Sequence, residues 1–276
     1  TGTRIIPALA TEWAVDAADR TKWLFRLRPG VTFHDGSAFD ADAVVWNVRK
    51  LLDRAAPQFD PGQAGTTLPR LPTLRAARKV EELLVELTTS EPDSFLPINL
   101  TNLFFASPAH WAAKLAALPA SVTDPAARAT RAWEDFARDP SGTGAFRLAR
   151  FVPRERLELV RHPGYWDRAR VAKLDRLVFI PMPDSSTRTA SLLSGGVDWI
   201  EAPAPDAIPS MRGRGFQIVT SRMAHVWPWQ PSLLEGSAWR DKRVRMAANL
   251  AVNRADLVTL NGGLAEPAMG QLRPGH

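Results

Sequence analysis

Between Trp23 and Leu51 the hydrophobic period changes from that of a strand to that of a helix, which puts both kinds of element side by side in one short stretch. Trp23, Phe25 and Leu27 alternate with Leu24, Arg26 and Arg28, the pattern of a half-buried strand. Pro29-Gly30 supplies a turn, Val31–His34 a return strand and Asp35-Gly36 a second tight turn. Asp40 is then a good N-cap, and Phe39 before it can staple onto Val44. Val44, Val48 and Leu51 share a stripe, so the spacing predicts a helix over 41–53. Pro57, Pro61, Gly62, Gly65, Pro69 and Pro72 predict an irregular connection with no helix over 54–73.

The remainder continues the mixture. Leu83, Val85 and Leu87 alternate as a strand, and 92–97 reads as a loop. Pro108 opens a helix through Trp111 and Leu115, and another surrounds Trp133 and Phe136. Beyond the loop Pro140-Ser141-Gly142-Thr143-Gly144, strands are expected at 146–151, 156–160, 177–180 and 217–220. Asp184, Asp241 and Asn253 cap helices, the first of them over 187–194 and closed by Gly195-Gly196. Strands and helices alternating irregularly, with many hairpins, indicate a mixed α/β fold.

Several kinds of chemistry are hard to build here. With no cysteine in 276 residues, there is no disulfide framework, thiolate metal site or thiol nucleophile. No apolar run approaches the roughly 18 residues of a membrane span. The net charge of +6 comes from 35 basic and 29 acidic residues, interleaved as in Arg154-Glu155-Arg156, which argues against nucleic-acid binding. Histidines at 34, 110, 162, 225 and 276 offer no metal-ligand spacing, and no nucleophile elbow, phosphate loop or dinucleotide fingerprint occurs. The expectation is therefore a protein without catalytic residues, bound metal or cofactor.

The residues from Trp23 to Gly36, and Phe39-Asp40-Ala41-Asp42-Ala43-Val44-Val45-Trp46 after them, resemble consecutive phrases of one family. Gly142-Thr143-Gly144-Ala145-Phe146 is similar to its glycine loop, with alanine where proline is usual. His162-Pro163-Gly164-Tyr165-Trp166 is similar to its Asn-Pro-x-Tyr-Trp phrase. Thr187 through Asp198 lacks one acidic residue of the matching segment, and Asp241-Lys242-Arg243-Val244-Arg245 continues to Asn253-Arg254 as in the family. The chain thus resembles the extracytoplasmic solute-binding proteins of bacterial ABC importers, in family 5 with the dipeptide-, oligopeptide- and nickel-binding proteins.

That resemblance implies a type II periplasmic-binding-protein-like lobe with an inserted accessory α+β subdomain and the second lobe missing. The opening Thr1-Gly2-Thr3 and closing Leu272-Arg273-Pro274-Gly275-His276 both read as interrupted phrases, so a piece of a longer protein is expected. Family architecture makes 1–8 the end of a first-lobe segment, 9–140 the accessory subdomain, 141–262 the first lobe's mixed sheet and helices, and 263–276 the start of the second lobe. It implies capture of a peptide-like solute by hinge closure, handed to an inner-membrane ABC permease. The full-length form would be a monomer, periplasmic or lipid-anchored outside the membrane. A nickel-chelate binder of the same family, or a periplasmic enzyme or sensor on the same fold, is the alternative.

The resemblance also nominates contacts. Glu201, Ala202 and Pro203 follow the segment where the family's first lobe meets its ligand, and Glu201 can pair with a cationic group or be a solvated loop carboxylate. Trp227 and Trp229, in a strand leading to the lobe crossover, line either the cleft or the core. Thr143 offers a hydroxyl in the glycine loop, or plain turn chemistry. His225 beside the Trp pair can touch a metal chelate or be an ordinary surface histidine. Trp23, Phe25, Trp46, Trp111 and Trp166 are expected in the core.

Overall fold

Alternation over Trp23–Leu27 is what the first sheet is built on. The computed structural model describes residues 5–221, 226, 228–268 and 270. Strands β1 (Ala10–Val15) and β2 (Lys22–Leu27) open the chain, and β2 buries Phe25 and Leu27 while Trp23 packs half-buried beside them. Helix α1 (Ala41–Leu52) follows, capped by the Asp40 carboxylate accepting from the Ala43 N–H at 2.9 Å. Val44, Val48 and Leu51 are buried along its inner face, and Phe39 is buried just before its cap. The expected return strand over 31–34 shrinks to a single bridge, Thr32 to Ala38, because the tight Asp35-Gly36 turn leaves no length for a ladder.

A helix does form in the segment predicted to exclude one. Helix α2 (Pro61–Thr67) starts with Pro61 at its first turn, where the missing N–H costs nothing, and Asp60 caps it through the Gln63 N–H. Proline there starts a helix rather than forbidding it.

Strands β3 (Leu74–Glu81) and β4 (Leu84–Thr89) complete an antiparallel sheet in the order β1-β2-β4-β3. β3 is an almost entirely exposed edge, so no buried stripe announces it. Helix α1 packs against β3 and β4. Short α3 (Leu96–Asn99) turns what reads as a loop into one helical turn, and α4 (Pro108–Ala116) and α5 (Pro125–Arg138) pair with each other. They bury Trp111, Ala132 and Phe136 in a second core against Trp46 and Trp133. The Trp46 and Trp133 rings sit 5.6 and 5.7 Å from Trp111.

Strands β5 (Phe146–Val152), β6 (Arg156–Arg161) and β7 (Arg176–Phe179) form an antiparallel sheet in that order. Glu158 on β6 is buried between Arg156 and Arg176. Then come α6 (Ser185–Leu193), α7 (Ile208–Gly213), α8 (Lys242–Ala251) and α9 (Arg254–Leu260). Residues 217–220 form no strand, since no described segment pairs with them. The chain divides into two compact units, residues 1–181 and 182–276. No helix of the described residues is long and apolar enough to cross a membrane.

Candidate functional site

In the first unit the glycine loop is held by a polar knot. His34 donates from Nε2 to the Gly144 carbonyl at 2.9 Å, and its backbone N–H donates to Gly142 at 2.8 Å. The Asp35 carboxylate accepts from the hydroxyls of Ser107, Ser37 and Ser141 at 2.8, 2.9 and 3.0 Å. Burial alone would raise its pKa, but these hydroxyl donors outweigh that and hold it below the usual carboxylate value. The Thr143 carbonyl accepts from the Trp166 indole N–H at 3.1 Å, and Arg28 stacks 4.9 Å over that indole. Thr143 itself is half-buried, and its hydroxyl has no partner among the described residues.

The His162 ring lies 5.0 Å from His34, with both ring nitrogens buried and unpartnered among the described residues. Burial first, and then the His34 and Arg147 charges, push its pKa below the ordinary histidine value. A cavity of about 290 Å³ beside the knot is lined by His34, Asp35, His110, Asp139 and Arg147. Its carboxylates are already committed, Asp35 to the serines and Asp139 to Lys114 at 2.6 Å and His110 at 3.2 Å.

In the second unit, α6 is tied to the segment that follows it. The Asp184 cap accepts from the Ser186 hydroxyl at 2.6 Å, the Thr187 N–H at 2.7 Å and the Thr187 hydroxyl at 2.8 Å, which lowers its pKa to about 2. One turn on, Arg188 spreads its guanidinium over four main-chain carbonyls. It donates to Met182 at 2.7 Å, Pro183 at 2.8 Å, Ala202 at 2.9 Å and Glu201 at 3.1 Å. A planar five-donor fork suits that role, and a lysine could not reproduce it.

Ala202 takes φ +48°, a left-handed conformation costing a side-chain-bearing residue about 1 kcal/mol, so the loop does not rest there by preference alone. Glu201 is exposed, and its carboxylate has no partner among the described residues, whereas Pro203 is half-buried. Trp229 is 76% exposed, so it is no core residue within what the structure describes. Trp227 and His225 lie outside the described residues. Glu201, Ala202 and Pro203 thus form one clamped loop, whereas Thr143 belongs to the other unit.

Sequence reasoning passes over two neighbours of that loop. Arg188 reads as one more helix-surface arginine until its carbonyl partners are seen. Trp199 is detectable as an indole two residues before Glu201, and the structure leaves it 71% exposed.

Comparison with known proteins converges with these features. The family description "Bacterial extracellular solute-binding proteins, family 5 Middle" matches residues 4–276. The chain is 29% identical to the glutathione-binding protein GsiB of Pectobacterium atrosepticum, over 98% of this chain and 48% of that protein. It is 27% identical to the heme-binding protein A of Haemophilus influenzae, over 93% of this chain and 46% of that one. It therefore spans about half the length of the curated relatives it matches. Among solved structures, the periplasmic binding protein DppA of Helicobacter pylori in complex with the peptide STSA superposes with a TM-score of 0.77 at 22% identity, covering 99% of this chain and 52% of that one. The nickel ABC transporter structure from Bacillus halodurans gives a TM-score of 0.65 at 27% identity, covering 97% and 49%. The ordered sequence phrases and a family match running nearly end to end lead to one conclusion: this chain belongs to family 5 of the bacterial extracellular solute-binding proteins.

Proposed function

We propose that these residues serve in the substrate-binding component of an ABC importer, forming one wall of a cleft that captures a peptide-like solute outside the cytoplasmic membrane. The observation that carries this reading is the clamped 201–203 loop, which presents a carboxylate unpaired among the described residues, in a chain of family 5. Residues 9–140 act as the accessory subdomain and 141–262 as lobe, and Thr143 and Trp229 contribute further cleft contacts. The role is non-catalytic: the solute is bound, carried to a membrane permease and released unchanged. Relatives named for glutathione, heme and di- or tripeptides support a solute of that general size.

Micromolar affinity requires about 8 kcal/mol net of binding costs, and one wall leaves much of a peptide in water. Calorimetry tests this. The 276 residues alone are expected to bind di- and tripeptides no better than millimolar, and the same residues within a two-lobed protein to bind in the micromolar range. Micromolar binding to the 276 residues alone would overturn the one-wall reading. Peptide cleavage detected by mass spectrometry would overturn the non-catalytic one.

A further inference from the structure

We infer that Trp199 and Glu201 form a corner that receives a cationic group of the solute, with Arg188 as the positioning residue that holds it; this rests on the solute-binding reading above. Trp199 is 71% exposed and Glu201 is exposed, while Ile200 between them is half-buried. The segment therefore anchors itself through Ile200 and offers an indole and a carboxylate outward. An ammonium or guanidinium group is attracted to both, by the ring's electron-rich face and by the charge. Asp198, also exposed and without a partner among the described residues, adds to the negative field.

A single exposed indole or a single exposed carboxylate is ordinary surface. The clamp is what distinguishes this pair. Arg188 sends its donors to the carbonyls of Glu201 and Ala202 on one side and of Met182 and Pro183 on the other. It makes no ion pair with the Glu201 carboxylate among the described residues, so it fixes the backbone without neutralising the charge it presents. Ala202 remains at φ +48°, where the clamp opposes relaxation of the loop. Ordering the loop beforehand spares the entropy of ordering it when the solute arrives.

The test uses the tripeptide Ala-Lys-Ala and the same peptide acetylated on both amines, titrated into the 276-residue chain and followed by NMR at the Trp199 indole and the 199–203 amides. The free peptide is expected to shift these signals with about fivefold tighter binding than the acetylated one. Trp199→Leu and Glu201→Gln should each shrink that preference. Arg188→Ala should abolish it, and Ala202→Gly, which removes the positive-φ penalty but keeps the clamp, should leave it intact. Arg188→Lys, with charge but no planar fork, should also lose it, and it decides the matter if the alanine variant does not fold.

Equal shifts from both peptides would overturn the cationic corner while leaving solute binding standing. A preference that survives both Arg188 variants, or an Arg188→Lys variant that weakens both peptides equally, would overturn the positioning role alone. No shift from either peptide would overturn this inference, because a corner ordered in advance by Arg188 needs no second wall, and it would leave standing the solute-binding reading, which expects only weak binding to these residues.

Discussion

Asn47 and Lys50 lie one turn apart on α1, both completely buried, and they follow opposite rules for burying polarity. Asn47 is fully matched. Its Nδ2 donates to the Ala43 and Ala106 carbonyls, and its Oδ1 accepts from the Ala106 N–H, each at 2.9 Å. It therefore pairs with a main-chain segment as a neighbouring strand would. Asn47→Leu removes these bonds and leaves Ala106 unsatisfied, so a loss of about 2 to 4 kcal/mol is expected in urea denaturation. Lys50 is only partly matched, by a 2.9 Å bond to Gln63 and a position 5.3 Å over the Trp133 ring. Burial drives its pKa from 10.5 down to about 8, against a smaller opposing pull from Asp60. Between those values the unfolded chain holds a proton that the folded chain has released, so stability should rise with pH across that window, by up to about 3 kcal/mol. Below it the folded state bears the cost in full. Comparing denaturation of the protein and its Lys50→Met variant from pH 7 to 10.5 isolates this contribution. A difference that stays flat with pH would contradict it.

At the scale of elements, the ends of the helices are the most legible features. Asp40, Asp60, Ser107, Asp124, Asp184, Asp241 and Asn253 each accept from an N–H of the helix they start. Asp40→Ala should cost about 1 kcal/mol, read as a drop in denaturation midpoint. At the other end of α6, Gly195 takes φ +77°, and no heavy atom lies within 4 Å of where a Cβ would sit, so the penalty for a side chain there is conformational. Gly195→Ala should cost about 1 kcal/mol, and Gly195→Asn less, because asparagine tolerates the left-handed region. If the asparagine variant proves the worse of the two, the left-handed cap is not what limits this helix. Strands are harder to read. β2 and β4 show alternation because one face is buried, whereas β3 is an exposed edge whose register comes from pairing with β4. Residues 217–220 show the converse, a strand-like stretch around Ile218 and Val219 with no ladder to join among the described residues.

At the scale of the whole molecule, the two units differ sharply in how much they bury. Both hydrophobic clusters lie within residues 1–181, whereas in 182–276 the buried apolar side chains among the described residues are Leu192, Ile208 and Met211. Few buried contacts mean low local stability, so brief trypsin treatment should cut first within 182–276 and leave a resistant fragment from the first unit. Mass spectrometry of the early fragments checks this, and early cuts within α1 or β2 would contradict it. The alternation at Trp23–Leu27, the Asp40 cap and the ordered family phrases were enough by themselves to establish a mixed α/β chain of the solute-binding family. These are local signals, carried by neighbouring residues through period and cap chemistry. What only the tertiary structure decided was non-local: that Asp35 gathers Ser107 and Ser141 from distant segments, that Asn47 pairs with Ala106, and that Arg188 reaches across thirteen and fourteen residues to the carbonyls of Glu201 and Ala202. Such partners are chosen by how the backbone folds back on itself, and a side chain's own identity does not say which carbonyl it will meet.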